Sequence, residues 1–125
     1  MMRVKELLKS KGRDVYSITP DATVYDALKL MAEKEIGAVV GLDGEKMVGI
    51  LSERDYARKV ILSGKSSEET LVREIMTSDV MYVGPGEKVK HCLSIMTKKH
   101  FRHLPVLEED KVIGVLSIGD VKSKL

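Results

Sequence analysis

Two seven-residue segments hold the chemistry-bearing side chains of this chain in a single pattern. Gly49-Ile50-Leu51-Ser52-Glu53-Arg54-Asp55 and Gly114-Val115-Leu116-Ser117-Ile118-Gly119-Asp120 both read Gly-φ-φ-Ser-x-x-Asp, where φ is apolar. The apolar pair suits the end of a strand. A Ser followed three residues on by an acid has capping-box spacing at a helix N-terminus, with Asp in place of the usual Glu or Gln. A strand thus delivers the chain to a helix start that carries a hydroxyl and, one turn later, a carboxylate. Free backbone N–H groups, the helix dipole and the Ser hydroxyl suit a phosphate. The Asp can accept hydrogen bonds from both hydroxyls of a ribose. Together these chemistries point to a nucleotide. One such segment alone is ordinary helix punctuation, so its recurrence inside a longer duplication is what gives it weight.

That duplication is free of gaps. A shift of 65 residues (114 − 49) lays residues 14–55 on 79–120, and 13 of the 42 positions are identical, among them Pro20/Pro85, Val24/Val89, Met31/Met96 and Asp55/Asp120. Each copy reads β-α-β-β-α, an α/β (α+β) architecture. In the first, residues 15–18 form a strand stopped by Thr19-Pro20-Asp21. Val24, Ala27, Leu28 and Met31 then fall on one face of a helix running to about Glu35. Strands at 38–42 and 47–51 flank the hairpin signal Asp43-Gly44, and a helix from Ser52 continues to about Leu62. The second copy predicts strands at 80–83, 103–107 and 112–116, and helices at 89–99 and from Ile118. Short amphipathic lead-ins at 4–8 and 71–76 precede the copies. The expected organisation is residues 1–62 as the first repeat with its lead-in, 63–70 as an exposed polar linker, and 71–125 as the second repeat with its lead-in. Two copies are too few for a solenoid. They are expected to bury their apolar faces on one another about a pseudo-two-fold axis, leaving two related clefts where small ligands commonly bind.

Composition narrows the function classes. At 125 residues the chain can bury roughly two-thirds of its unfolded surface. It is 43% hydrophobic and 32% charged, an ordinary globular balance, and with no Trp the core must be aliphatic. A formal charge of +2 argues against bulk nucleic-acid binding. A single Cys excludes a disulfide framework and fits a reducing cytosol. With no secretory signal and no apolar run approaching the roughly 20 residues of a membrane span, a cytoplasmic location is expected.

The whole chain resembles a CBS domain pair, also called a Bateman module. The resemblance is carried by Val24-Tyr25-Asp26-Ala27-Leu28, Phe101-Arg102-His103-Leu104-Pro105-Val106 and the two Gly-φ-φ-Ser-x-x-Asp segments. The run from Ser52 to Val60 is similar to a subgroup of small two-repeat proteins of bacteria and plants. The resemblance implies a regulatory module, sensing energy or redox state, that binds AMP, ADP, ATP, NAD(H) or an S-adenosyl ligand and pairs into a homodimer. It further implies that each cleft takes its Ser and Asp from one copy and its base-facing segment from the other. In the first cleft Asp120 would hold the ribose and Ser117 would lie near the phosphate. The base would slot against backbone around Tyr16 and Ile36-Gly37-Ala38, Arg102 and His103 would match positions that reach phosphates, and Lys11 would match the lead-in region that approaches the same pocket. The second cleft would use Ser52, Arg54 and Asp55 with Val80 and Met81. It is expected to be weaker or empty, because Phe101-Arg102-His103 is bulky where the other copy has Ile-Gly-Ala.

AMP leads as the ligand, with ATP or NAD(H) as alternatives; a ligand-free dimerisation module is the competing class. No metal site is expected: His91, His100, His103 and Cys92 do not form a set that must converge, because His103 begins a strand. Cys92 lies in a helix with no activating partner, so no nucleophile is read there. No P-loop and no Ser-His-Asp arrangement is found, and the chain is not expected to be an enzyme.

Overall fold

The computed structural model describes residues 1–125. In chain order the elements are α1 (Val4–Lys11), β1 (Ser17–Ile18), α2 (Val24–Lys34), β2 (Ala38–Asp43), β3 (Lys46–Ser52), α3 (Glu53–Tyr56) with a π-helical continuation (Ala57–Ile61), α4 (Val72–Ile75), α5 (Val89–Lys99), β4 (His103–Glu108), β5 (Lys111–Ser117) and α6 (Ile118–Lys122). They form two compact units. The middle unit is Tyr16–Val80, and the terminal unit joins Met1–Val15 to Met81–Leu125. No helix is long and apolar enough to cross a membrane.

In the middle unit β2 lies between β1, which is parallel to it, and β3, which is antiparallel. Helix α2 starts where Thr23 caps it, Oγ1 accepting from the Asp26 N–H at 3.1 Å. It ends at Glu35, which adopts a left-handed conformation (φ 54°). Val24, Ala27 and Met31 face inward and pack with Val39, Leu51, Val60, Val72 and Ile75. The terminal unit repeats the scheme. Helix α5 buries Val89, Cys92 and Met96 and stops at a left-handed His100, over the antiparallel hairpin β4–β5. Both hairpins shift register at matching positions, Gly41/Leu42 and Val106/Leu107.

The compact units are not identical with the sequence repeats, because residues 1–15 join residues 81–125. Helix α1 packs not on the repeat it precedes but on the second one. Val4, Leu7 and Leu8 enter the core formed by Val89, Cys92, Met96, Leu104, Leu116 and Val121. Each such aliphatic contributes about 1.5–3 kcal/mol on burial. Helix α4 likewise joins the first repeat. The anchoring bonds match in pairs. Val4 N–H donates to Glu87 O (2.8 Å) as Val72 N–H donates to Ala22 O (2.9 Å), and Lys5 N–H to Pro85 O as Arg73 N–H to Pro20 O (both 2.9 Å). Each lead-in therefore completes the half that lies further along or further back in the chain.

Three local expectations are corrected. The segment 80–83 makes only a single parallel bridge, Val83 to Val106, before Gly84-Pro85-Gly86 turns the chain. The strand expected at 15–18 shortens to Ser17–Ile18. The 63–70 segment is not a bare linker: Ser67 and Thr70 carbonyls accept the first N–H groups of α2 at 2.9 and 2.8 Å, and Thr70 is buried. These bonds satisfy donors that an α-helix start leaves orphaned.

Candidate functional site

The two Gly-φ-φ-Ser-x-x-Asp segments fold alike. A strand, β3 or β5, runs straight into a short helix, α3 or α6, with Ser52 or Ser117 at the cap. In the terminal unit Ser117 Oγ accepts from the Asp120 N–H at 3.0 Å, and Asp120 Oδ2 accepts from the Ser117 N–H at 2.8 Å. In the middle unit Ser52 Oγ accepts from the Asp55 N–H at 3.2 Å, and the Ser52 N–H donates to Asp55 Oδ2 at 2.9 Å. Asp is thus a sufficient third residue for a reciprocal capping box.

The helix starts are less open than the sequence suggested. Ile118 N–H donates to Arg102 O at 2.8 Å, and Glu53 N–H to Gly37 O at 3.0 Å. With Asp120 N–H and Asp55 N–H bonded to the Ser hydroxyls, two of the amides expected to cradle a phosphate are already engaged in each copy. The expectation of free backbone donors is corrected accordingly. Those two amides of each cap are therefore not open to a phosphate.

One cation stands ready. Lys11, the last residue of α1, places its ammonium 2.6 Å from Asp120 Oδ2 and 2.6 Å from Val115 O. Burial pulls the Asp120 carboxyl upward. The hydrogen bonds from Lys11 and Ser117 and the Lys11 charge outweigh it, and the net displacement is below the ordinary carboxylate value. The middle unit solves the same problem differently. Lys59, one helical turn beyond Asp55, pairs with Oδ1 at 3.2 Å and donates to Ile75 O at 2.9 Å. Lys59 was missed from sequence, although its i,i+4 spacing from Asp55 was the available signal.

The two caps differ in what they leave exposed. Ser52 Oγ also donates to Asp55 Oδ2 at 3.0 Å, closing that pair on itself, and the Asp55 side chain is 15% exposed against 26% for Asp120. The Lys11 ammonium and the Ser117 N–H both bond the same oxygen of the Asp120 carboxylate, Oδ2.

A family profile, the CBS domain, matches residues 4–62 and 72–125, one match for each strand-to-helix cap. The chain belongs to the CBS domain family. It is 39% identical over 127 residues to the mitochondrial CBS domain-containing protein CBSX3 of Arabidopsis thaliana, covering 94% of this chain and 62% of that protein. The chain therefore spans less than two-thirds of that relative's length. A solved protein with CBS domains from Burkholderia ambifaria superposes with a TM-score of 0.95 at 49% identity, over 98% of this chain and 93% of the other. A CBS domain protein from Pyrobaculum aerophilum complexed with AMP superposes with a TM-score of 0.85 at 25% identity, over 95% and 89%.

Against this CBS framework the remaining expected residues fall into two groups. In the terminal unit Lys11, Arg102, His103, Ser117 and Asp120 share one neighbourhood: His103 is the ladder partner of Ser117, and Arg102 bonds the α6 start through its carbonyl. In the middle unit Ala38 is the ladder partner of Ser52, Gly37 bonds the α3 start, and Tyr16 O accepts from Val40 N–H at 3.3 Å. Ile36 packs on the middle core, and the Lys34 ammonium stands 5.3 Å from the Tyr16 ring centroid. Arg54 and Asp55 lie on α3, Val80 ends the middle unit, and Met81 begins the returning part of the terminal unit as an exposed side chain. His91 Nδ1 pairs with Glu87 Oε1 at 2.7 Å. Cys92 is buried, and burial pushes its thiol up to about 11.

Proposed function

We propose that this CBS pair is a non-catalytic regulatory module that binds an adenine nucleotide, AMP first, with Asp120 as the acceptor of the ribose hydroxyls, and that it acts as a homodimer. One observation carries the reading. In the terminal unit a carboxylate anchored by a capping box keeps one oxygen outside that box, beside an ammonium. Oδ1 is the oxygen a ribose hydroxyl would meet, and Lys11 lies where a 5′-phosphate could draw on its charge. Carboxylate and ammonium side by side match the two polar ends of a nucleoside monophosphate. The AMP complex of the Pyrobaculum relative supports the same ligand class. Asp55 is the poorer acceptor, because Ser52 and Lys59 engage both of its oxygens. The second site is proposed to be weak for that reason, in addition to the bulk of Phe101-Arg102-His103. The non-catalytic reading is supported at Cys92, whose raised thiol is a poor nucleophile. Regulation follows if the ligand has different affinity for two conformations.

Isothermal titration with AMP, ATP, NADH and S-adenosylmethionine tests this reading. Asp120→Asn keeps the shape of the side chain and removes its charge. A lost charge-assisted hydrogen bond of about 1.5–3 kcal/mol corresponds to roughly ten- to hundredfold weaker AMP binding. AMP binding indifferent to Asp120→Asn would refute the ribose assignment. Silence toward all four compounds would leave a ligand-free dimerisation module. The strongest binder among the four names the ligand.

A further inference from the structure

Within the terminal unit the Asp120 carboxylate has one oxygen filled and one open. A carboxylate oxygen accepts about two hydrogen bonds. Oδ2 has two already, from the Ser117 N–H at 2.8 Å and from the Lys11 ammonium at 2.6 Å, whereas Oδ1 has none. The Ser117 bond belongs to the capping box that starts α6. The Lys11 bond is the one that can be given up, because Lys11 has a second hold, on Val115 O at 2.6 Å. Val115 falls on Ile50 in the duplication, and there the carbonyl is satisfied by backbone, the Thr77 N–H at 2.9 Å. In the terminal unit α1 runs on to Lys11, and its side chain supplies the donor instead. An ammonium has three donors, so with Val115 O and Asp120 Oδ2 engaged a third remains. The two paired side chains are 32% and 26% exposed, so water screens the pair and it is cheap to exchange.

We propose that Lys11 is a specificity latch: it closes Asp120 Oδ2 to a ribose and releases it to ligands that carry a 5′-phosphate. The inference rests on Asp120 as the ribose acceptor. Two ribose hydroxyls need both carboxylate oxygens, and the second hydroxyl finds room only when Lys11 leaves Oδ2. A nucleoside takes that bond away and gives the ammonium nothing in return. A nucleotide brings its own anion. Lys11 then keeps Val115 O, turns from carboxylate to phosphate on its flexible stem, and remains charge-paired. The latch therefore disfavours adenosine and favours AMP through one side chain, a difference of affinities rather than a gain for both. The middle unit has no equivalent, because Ser52 bonds Asp55 Oδ2 through both its N–H and its hydroxyl, and Lys59 takes Oδ1.

Calorimetric titration of the full chain with AMP and with adenosine tests the latch by effects of opposite sign. Lys11→Met is expected to weaken AMP about ten- to hundredfold, the loss of a charge-assisted bond. The same variant is expected to tighten adenosine by up to about fivefold, the release of a partly solvated ion pair. Lys11→Arg keeps the charge and is expected to keep the preference for AMP. Circular dichroism checks each fold, and Lys11→Gln gives the same readout should Lys11→Met not fold. A preference for AMP that survives loss of the charge, or a loss shared equally by both ligands, overturns the latch. Asp120→Asn separates this from the ribose assignment. If it weakens both ligands while Lys11→Met leaves the preference intact, the latch falls and the ribose assignment stands. If AMP binding ignores Asp120→Asn, or the wild type binds neither compound, both fall together.

Discussion

Asp120 enters the folded state already paired, and that has a pH signature. Its carboxyl titrates below the ordinary value, because Lys11 and Ser117 together outweigh the upward pull of burial. A carboxyl whose folded value is depressed adds stability above its unfolded value and loses that contribution as pH falls through the folded one. Lys11→Met is expected to lower stability at neutral pH by about 1 kcal/mol or less, since the pair is partly solvated. The gap to the wild type should close as the medium is acidified through the carboxylate range, which melting temperatures across pH would reveal. A gap that stays constant with pH would assign the loss to the packing of the Lys11 stem instead. At this scale the capping boxes were legible in the sequence, because Ser and Asp sit three residues apart and need only each other. The engagement of the Ile118 N–H by Arg102 was not. It depends on hairpin register across 16 positions, which no local pattern encodes.

Among the elements, the motif glycines turn out to serve packing rather than a ligand. A Cβ at Gly114 would lie 2.6 Å from Leu8 Cδ2, the end of a side chain of α1. A Cβ at Gly49 would meet Met76 and also lie 2.9 Å from the backbone oxygen of Thr77, whose N–H and C=O both bond Ile50. A side chain can swing aside, whereas a doubly bonded backbone cannot. Gly49→Ala is therefore expected to cost more than Gly114→Ala, with overpacking losses of about 1–3 kcal/mol. Urea midpoints for the two variants decide it, and equal or reversed losses would show that the Leu8 contact is the stiffer one. The helices α2 and α5 and both hairpins were readable from apolar spacing and the Asp43-Gly44 turn. The π-helical turn Ala57–Ile61 was not, because its hydrogen bonds span one residue more than those of an α-helix and only Val60 is buried there.

For the whole molecule, the exchange of lead-ins inverts what sequence adjacency implies. An amphipathic stretch just before a repeat looks like its first element, and nothing in residues 4–8 says that their apolar face belongs to a core that begins at Val83. The matching anchors on Glu87 and Ala22 show why the exchange holds: each lead-in presents its first amides to carbonyls at the start of α5 or α2. A truncation can read this out. Removing residues 1–11 takes Val4, Leu7 and Leu8 from the terminal core. At about 1.5–3 kcal/mol each, their loss approaches the 5–15 kcal/mol that holds a typical domain together. The middle core contains no residue of α1. Hydrogen exchange on the truncated chain is thus expected to show protection collapsing across Val89–Lys99 and Lys111–Ser117, at the far end of the sequence, while Val24–Lys34 and Ala38–Asp43, much nearer the cut, stay protected. Loss confined to the elements closest to the cut would mean that α1 supports its own repeat, and uniform loss that the two cores unfold as one cooperative unit.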